Sequence, residues 1–176
     1  MNARRAGRLQ ALGHPLHPIL TDFPIALWSL ALLWDALALW RGGFWWEVSF
    51  WTLSLGLAAA AGAASTGLLD ARRIGPDDPA GRTVNRHMLL MGAATMIFVG
   101  NLLVRGGTGE LAGMQAALAA ACTLLGNATV VAGAWFGGEL VFHHGVGVAE
   151  QPERVAPHAG LITTFDERKA PRRERV

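Results

Sequence analysis

The sequence contains little cysteine and little charge. Its 176 residues include one cysteine, Cys122, which lies in an apolar run. No disulfide can therefore form within the chain, and the lack of a Cys-x-x-Cys-His motif excludes covalent attachment of a c-type haem. Charged residues make up 16% of the chain, against roughly 25% in an ordinary soluble domain. Because most charges lie between apolar runs or near the C-terminus, the pattern is typical of a polytopic membrane protein.

Four apolar runs are each long enough to cross a bilayer as a helix. A helix rises about 1.5 Å per residue, so about 20 residues span the roughly 30 Å hydrocarbon core. The sequence thus predicts an all-α fold, an integral membrane, up-down four-helix bundle with short loops, over residues 14–145. The predicted spans are 18–40, 48–69, 84–104 and 114–140, between a basic arm (1–13) and a charged, mostly disordered tail (146–176).

The start of the first helix has two solutions. Proline fits the first turn of a helix, where its missing N–H is not needed. The helix can therefore begin near Pro18, with Pro24 inside it, or begin at Pro24.

Arginine and lysine are distributed unevenly among the loops. Thirteen of the 15 lie in the N-terminal arm, the second loop or the tail, and only Arg41 and Arg105 lie in the other two loops. Basic residues are enriched on the cytoplasmic side of membrane proteins. The sequence therefore predicts a multi-pass protein of the bacterial inner (plasma) membrane, with both termini in the cytoplasm.

Five histidines and three carboxylates fall at the cytoplasmic level of this arrangement. Ionisable groups at membrane depth suggest a functional site by default, and antiparallel helix neighbours can bring them together. The candidate cofactor-binding residues are His14, His17, His87 and His144, with Asp22, Asp70, Glu139 and His143 as supporting or alternative side chains.

Three interpretations of this cluster remain open. In the first, His87 and one of His14, His17 or His144 are the axial ligands of a b-type haem. In the second, those four histidines supply the nitrogen ligands of a zinc or copper ion. In the third, the histidines only cap helix ends, and the protein is a cofactor-free scaffold or partner-binding protein. The sequence has no HExxH or other hydrolytic signature, so enzymatic activity is not expected.

Polar residues within the spans predict contacts between helices. On span three, residues at three- and four-residue steps predict one inward-facing stripe, formed by His87, Met91, Ala94, Phe98, Asn101 and Arg105. Asp35 is expected to pair with Arg105 or Arg41 as a structural ion pair, in preference to a proton relay. Asn101, Asn127 and Thr129 are expected to form hydrogen bonds between helices.

Four stretches of the chain also carry a family resemblance: GHPLHP (13–18), LTDFPIALW (20–28), the histidine that opens span three (His87) and WFGGELVFHHGVGV (135–148). They resemble a bacterial family of uncharacterised four-span membrane proteins, filed as a domain of unknown function. In that family the last motif has one histidine, at the position of His144, which favours His144 over His143.

The resemblance also bears on partners. Members of the family are sometimes joined to Rieske-type or cytochrome-like domains, which implies a link to membrane electron transfer through a redox partner. The expected partners are the lipid bilayer, such a redox protein and a second copy of the chain. Nucleic acid is not expected, because the net charge is only +2 and no binding motif is present.

Overall fold

The structure, a computed structural model, describes residues 9–75 and 77–148. Most of the predicted basic arm and of the predicted tail therefore lies outside the described residues. The described part contains two short strands and four helices: β1 (Gln10–Ala11), β2 (His14–Pro15), α1 (Leu16–Arg41), α2 (Phe44–Ala71), α3 (Gly81–Arg105) and α4 (Gly113–Phe142).

The four helices form the predicted all-α bundle. Around the bundle, α1 packs mainly on α2 and α3 mainly on α4, while smaller contacts of α1 with α4 and of α2 with α3 close the ring. All four are long and apolar enough to cross a membrane. Helices α1 and α3 begin, and α2 and α4 finish, at the same end of the bundle. We name this the histidine end.

Each helix extends beyond the apolar run from which it was predicted. Backbone hydrogen bonding continues through the tryptophans and charged residues that flank each run, so hydropathy alone underestimates helix length. Helix α1 begins at Leu16, which puts Pro18 in the first turn and the buried Pro24 inside the helix. This decides between the two predicted starts in favour of the earlier one.

The turn between α1 and α2 contains only Gly42 and Gly43. Both have positive φ angles, 67° and 55°, which residues with a side chain rarely adopt. The Gly43 N–H donates to the Glu110 carboxylate at 3.3 Å. This bond ties the α1–α2 turn to the loop between α3 and α4 at the end opposite the histidines.

A small antiparallel hairpin precedes α1 and was not predicted. Ala11 pairs with His14, and Gln10 pairs with Pro15. Residues before a proline favour extended conformations, which suits His14 in β2, whereas His17, which precedes Pro18, already lies in α1. The Leu16 N–H donates to the Leu9 carbonyl at 2.9 Å, so the hairpin is joined directly to the first turn of α1.

The centre of the bundle is built from two stacked rings over two glycines. Trp28 of α1 and Phe98 of α3 stack with 4.3 Å between ring centroids and are almost fully buried. A Cβ atom on Gly56 would lie 2.5 Å from the Trp28 indole nitrogen, and one on Gly126 would lie 2.7 Å from the Phe98 ring. The glycines of α2 and α4 thus make room for the large rings of α1 and α3.

The α3 stripe predicted from sequence does face the interior. Ala94, Phe98, Asn101 and Arg105 are buried, and His87 and Met91 are half-buried. Arg105 bonds Asp35, with Nη2 at 2.6 Å from Oδ2. The predicted ion pair is therefore present, with Arg105 and not Arg41 as the partner.

Further hydrogen bonds surround this pair and form a polar layer, which we define as Asp35, Ser49, Asn101, Arg105 and Thr123. Ser49 donates to Asp35 Oδ1 at 2.5 Å and Thr123 to Oδ2 at 2.6 Å. Asn101 donates to Thr123 and accepts from Arg105 Nε. All four helices thus contribute to one satisfied carboxylate in the apolar interior, as a buried charge requires.

Two other polar residues of α4 have different roles. Asn127 donates to the Trp28 carbonyl at 2.9 Å, so the predicted bond between helices is confirmed. Thr129 is half-buried and donates to the Leu125 carbonyl of its own helix. The prediction of an interhelical bond was therefore wrong for Thr129, whose position on α4 turns it away from the bundle.

Candidate functional site

The structure separates the candidate histidines into two groups. His17 and His87 are half-buried on the inner faces of α1 and α3, whereas His14 and His143 are exposed. His144 is also half-buried, but it follows the end of α4, and its Nε2 lies 3.3 Å from the Thr83 hydroxyl. The inward-facing pair of histidines therefore consists of His17 and His87.

His17 is held against α2. Its Nδ1 lies 2.9 Å from the carbonyl oxygen of Ala63. The ring lies over Gly67, one helical turn further on, where a Cβ atom would come within 2.6 Å of His17 Cε1. The ring is thus positioned by the backbone of α2, and the Thr66 hydroxyl of the same helix lies 3.4 Å from the same Nδ1.

His87 is held against α4 in the same way. Its Nδ1 lies 2.9 Å from the carbonyl oxygen of Gly133. A Cβ atom on Gly137 would lie 3.2 Å from His87 Cε1. Each histidine therefore bonds a carbonyl and covers a glycine four residues later on the neighbouring helix.

These bonds decide which ring nitrogen is available. A carbonyl oxygen can only accept, so Nδ1 of both histidines carries the proton. In the neutral ring, Nε2 then presents its lone pair. Histidines that bind metals commonly donate their other N–H to a carbonyl or carboxylate in this way. Both rings thus have the tautomer that a metal ligand needs.

The two rings also lie close together. Their centroids are 6.5 Å apart, with an angle of 84° between the ring planes. A metal–nitrogen bond is about 2.0–2.1 Å long, so two imidazoles on opposite sides of one ion have centroids roughly 6 Å apart. The separation in the structure is therefore suited to two ligands of a single centre.

A cavity of about 530 Å³ lies at the histidine end. Among the described histidines, only His17 and His87 line it, and Asp70 is the carboxylate in its wall. The walls from α2 and α4 at this level consist mainly of small residues: Ala60, Ala63, Ala64, Gly67, Ala134, Gly137 and Gly138. The volume falls in the range of small-molecule and cofactor sites, about 300–1,000 Å³.

The remaining candidates do not join this pair as a ligand group. Within residues 9–75 and 77–148, no group of three or more histidine, cysteine, aspartate or glutamate side chains is arranged to hold a metal ion. Asp22 is exposed on α1, and Glu139 is half-buried near the end of α4. The structure thus does not assemble His14, His17, His87 and His144 into the four-nitrogen site considered from the sequence.

Sequence reasoning missed the backbone groups that position the two histidines. Carbonyl acceptors at Ala63 and Gly133 have no signature of their own. The available signal is the spacing of the glycines that the rings cover. Gly56 and Gly67 stand 11 residues apart on α2, and Gly126 and Gly137 stand 11 apart on α4. Each acceptor carbonyl lies four residues before the second glycine of its pair.

Comparison with known proteins identifies the family. No curated protein and no solved structure matches the chain. The model of one family, described as predicted membrane protein (DUF2231), matches residues 13–150. This match covers all four helices. The chain is therefore a multi-pass membrane protein of the DUF2231 family.

Proposed function

We propose that this protein is a small redox-associated membrane subunit that binds b-type haem between His17 and His87. The observation that carries the proposal is the matched geometry of the two rings. In each ring Nδ1 donates its hydrogen to a carbonyl, which leaves the lone pair of Nε2 to bind iron. Two neutral imidazoles from different helices are a common ligand set for such a haem. When bound, haem would supply one-electron exchange.

The walls of the cavity support this choice of ligand. Apolar surfaces must flank a macrocycle, and the axial ligands must stand on opposite sides of it. His17 and His87 come from α1 and α3, which are not neighbours around the ring of helices. Small residues of α2 and α4, such as Ala64 and Gly138, line the same cavity as both histidines.

The test is an absorption spectrum of the detergent-purified protein from its native host, oxidised and then reduced with dithionite, with metal analysis of the same sample. A Soret band and sharpened bands on reduction are expected. A colourless sample with stoichiometric zinc or copper would overturn the proposal in favour of a metal site. A colourless, metal-free and folded sample would favour the cofactor-free scaffold.

We also propose that the histidine end faces the cytoplasm of a bacterium, with the protein in the inner membrane. The charge distribution supports this orientation, because Arg72 and Arg73 lie in the α2–α3 loop and Arg82 lies in the first turn of α3, all at the histidine end. The redox partner, a Rieske-type or cytochrome-like protein, would then exchange electrons at this face.

The orientation predicts the behaviour of topology reporters fused to truncated chains. A reporter fused after Trp46 should be external, and one fused after Asp78 should be cytoplasmic. Alkaline phosphatase and green fluorescent protein fusions at both positions provide the measurement, each serving as control for the other. The reverse result would place the site on the outer side and would exclude a cytoplasmic partner.

A further inference from the structure

The two helical hairpins repeat each other at an interval of 70 residues. His17, Gly56 and Gly67 in the first half recur as His87, Gly126 and Gly137 in the second. The two histidines line the cavity, and the four glycines lie under the rings of Trp28, Phe98, His17 and His87. Leucines, alanines and turn glycines recur at the same interval: Leu20, Leu32, Leu33, Gly43, Leu55, Ala58, Ala64 and Gly75 match Leu90, Leu102, Leu103, Gly113, Leu125, Ala128, Ala134 and Gly145.

Ten buried positions of the first hairpin recur as buried positions of the second at the same interval, even where the residues differ; Ala38 and Thr66 are exceptions. In α1, Pro24, Trp28, Ala31 and Asp35 are buried, and their counterparts in α3 are Ala94, Phe98, Asn101 and Arg105. In α2, Trp46, Ser49, Leu53, Gly56, Ala60 and Ala63 are buried, and their counterparts in α4 are Ala116, Ala119, Thr123, Gly126, Val130 and Gly133. The two hairpins therefore turn the same positions inward.

The contacts within each hairpin also match. His17 bonds the Ala63 carbonyl, and its counterpart His87 bonds the Gly133 carbonyl, both at 2.9 Å. The bond in the second half thus joins the residues found 70 positions after those of the first. The rings of Trp28 and Phe98 lie over the matching glycines of α2 and α4.

Across the bundle, three inward residues of α1 each meet their own counterpart in α3. His17 faces His87, and the ring of Trp28 stacks on that of Phe98. Asp35 bonds Arg105. A residue meets its own equivalent where a two-fold axis passes between the two copies. Three such pairs along α1 and α3 indicate that this axis runs along the length of the bundle.

We infer that residues 14–75 and 84–145 are two copies of one two-helix unit, and that the ligand of the cavity lies on the two-fold axis between them. This inference rests on the proposed function for the identity of the ligand. The two-fold axis requires a ligand that both histidines can bind in the same way from opposite sides, such as one metal centre with an imidazole on each side. A ligand held end-on by one histidine does not fit this symmetry.

The equivalence of the halves is tested by exchanging one pair in the full chain. Trp28→Phe alone removes buried atoms, and Phe98→Trp alone enlarges a ring that already fills the space over Gly126. Each single variant should lower the thermal midpoint in detergent by roughly 4 °C or more. The double variant W28F/F98W should recover to near the wild-type midpoint, since each ring then occupies the other's equivalent position. If the double variant lost as much in thermal midpoint as the two single variants together, the two halves would not be equivalent and the duplication would be overturned.

The position of the ligand is tested at the histidines. His17→Met and His87→Met should each convert the haem spectrum to one with mixed histidine–methionine ligation and raise the midpoint potential. Retention of the wild-type spectrum by either variant would overturn a ligand on the axis. A wild-type protein without haem would contradict the proposed function, while the exchange experiment would still decide whether the halves are equivalent.

Discussion

Arg105→Ala is expected to lower the free energy of unfolding by about 3–5 kcal/mol, the usual cost of removing one partner of a buried ion pair. The side chains of Arg105 and Asp35 are only 1% and 4% exposed. Loss of the guanidinium leaves the Asp35 carboxylate in an apolar interior with only the hydroxyls of Ser49 and Thr123 as donors. Thermal or denaturant unfolding in a defined detergent, followed by circular dichroism, measures the loss.

Arg41→Ala is the matched control. Arg41 is also the last residue of its helix, but it is exposed and stacks on Trp40, with 4.0 Å from its Cζ atom to the ring centroid. Contacts of this kind at exposed sites contribute about 0.5–1 kcal/mol. The charge-reversed double variant D35R/R105D should recover part of the stability lost in Arg105→Ala, because it restores opposite charges. Equal losses for Arg41→Ala and Arg105→Ala would show that the polar layer is not a major determinant of stability.

Under the proposed function, loss of either inward-facing histidine is expected to abolish six-coordinate haem binding. His17→Ala and His87→Ala each remove one of two nitrogen ligands, and no third histidine lines the cavity among the described residues. The reduced spectrum should lose its sharp low-spin bands in both variants. Haem content per protein, measured by the pyridine haemochrome method, should fall severalfold.

His14→Ala and His143→Ala are the controls for this experiment. Both residues lie at the histidine end but are exposed, so the spectrum and haem content should be unchanged. Circular dichroism distinguishes loss of ligand from loss of fold. If His14→Ala removed the low-spin bands and His17→Ala did not, the iron-binding residue would lie in the hairpin before α1, and His17 and His87 would not be the axial pair.

Gly67→Ala tests the position of the His17 ring without replacing the imidazole. Gly67→Ala would bring a Cβ atom within 2.6 Å of His17 Cε1, whereas nothing lies within 4 Å of a Cβ atom on Gly62 of the same helix. Gly67→Ala should therefore shift the haem spectrum or potential by moving the ring, and Gly62→Ala should not. Identical spectra for the two variants would show that Gly67 does not position the histidine.

The sequence was sufficient to predict the fold because hydropathy reports directly on membrane-spanning helices. It also predicted the inward stripe of α3 and Asp35–Arg105 as one of two possible pairs. Arg41 could not be excluded in advance, since the rotation of α1 about its axis determines whether its last residue turns inward. That rotation depends on packing against α2, which a linear pattern does not specify.

The site was harder to predict for a related reason. The level of each histidine along the bundle follows from its position in a helix, but its direction around the helix axis depends on neighbouring helices. His14 and His17 stand three residues apart, yet the first lies in a strand and the second in a helix that turns it inward. Motif resemblance favoured His144, whereas the structure directs His144 towards Thr83 and opposes His17 to His87.

The polar layer also has a consequence for biosynthesis. Asp35 is synthesised 70 residues before Arg105, an interval of roughly 4–14 s at translation rates of about 5–20 residues per second. Among the described side chains that bond its carboxylate in the folded bundle, only Ser49 belongs to the first hairpin. The first hairpin is therefore synthesised with its acid before Arg105 exists, and the buried ion pair can form only after α3 has been made.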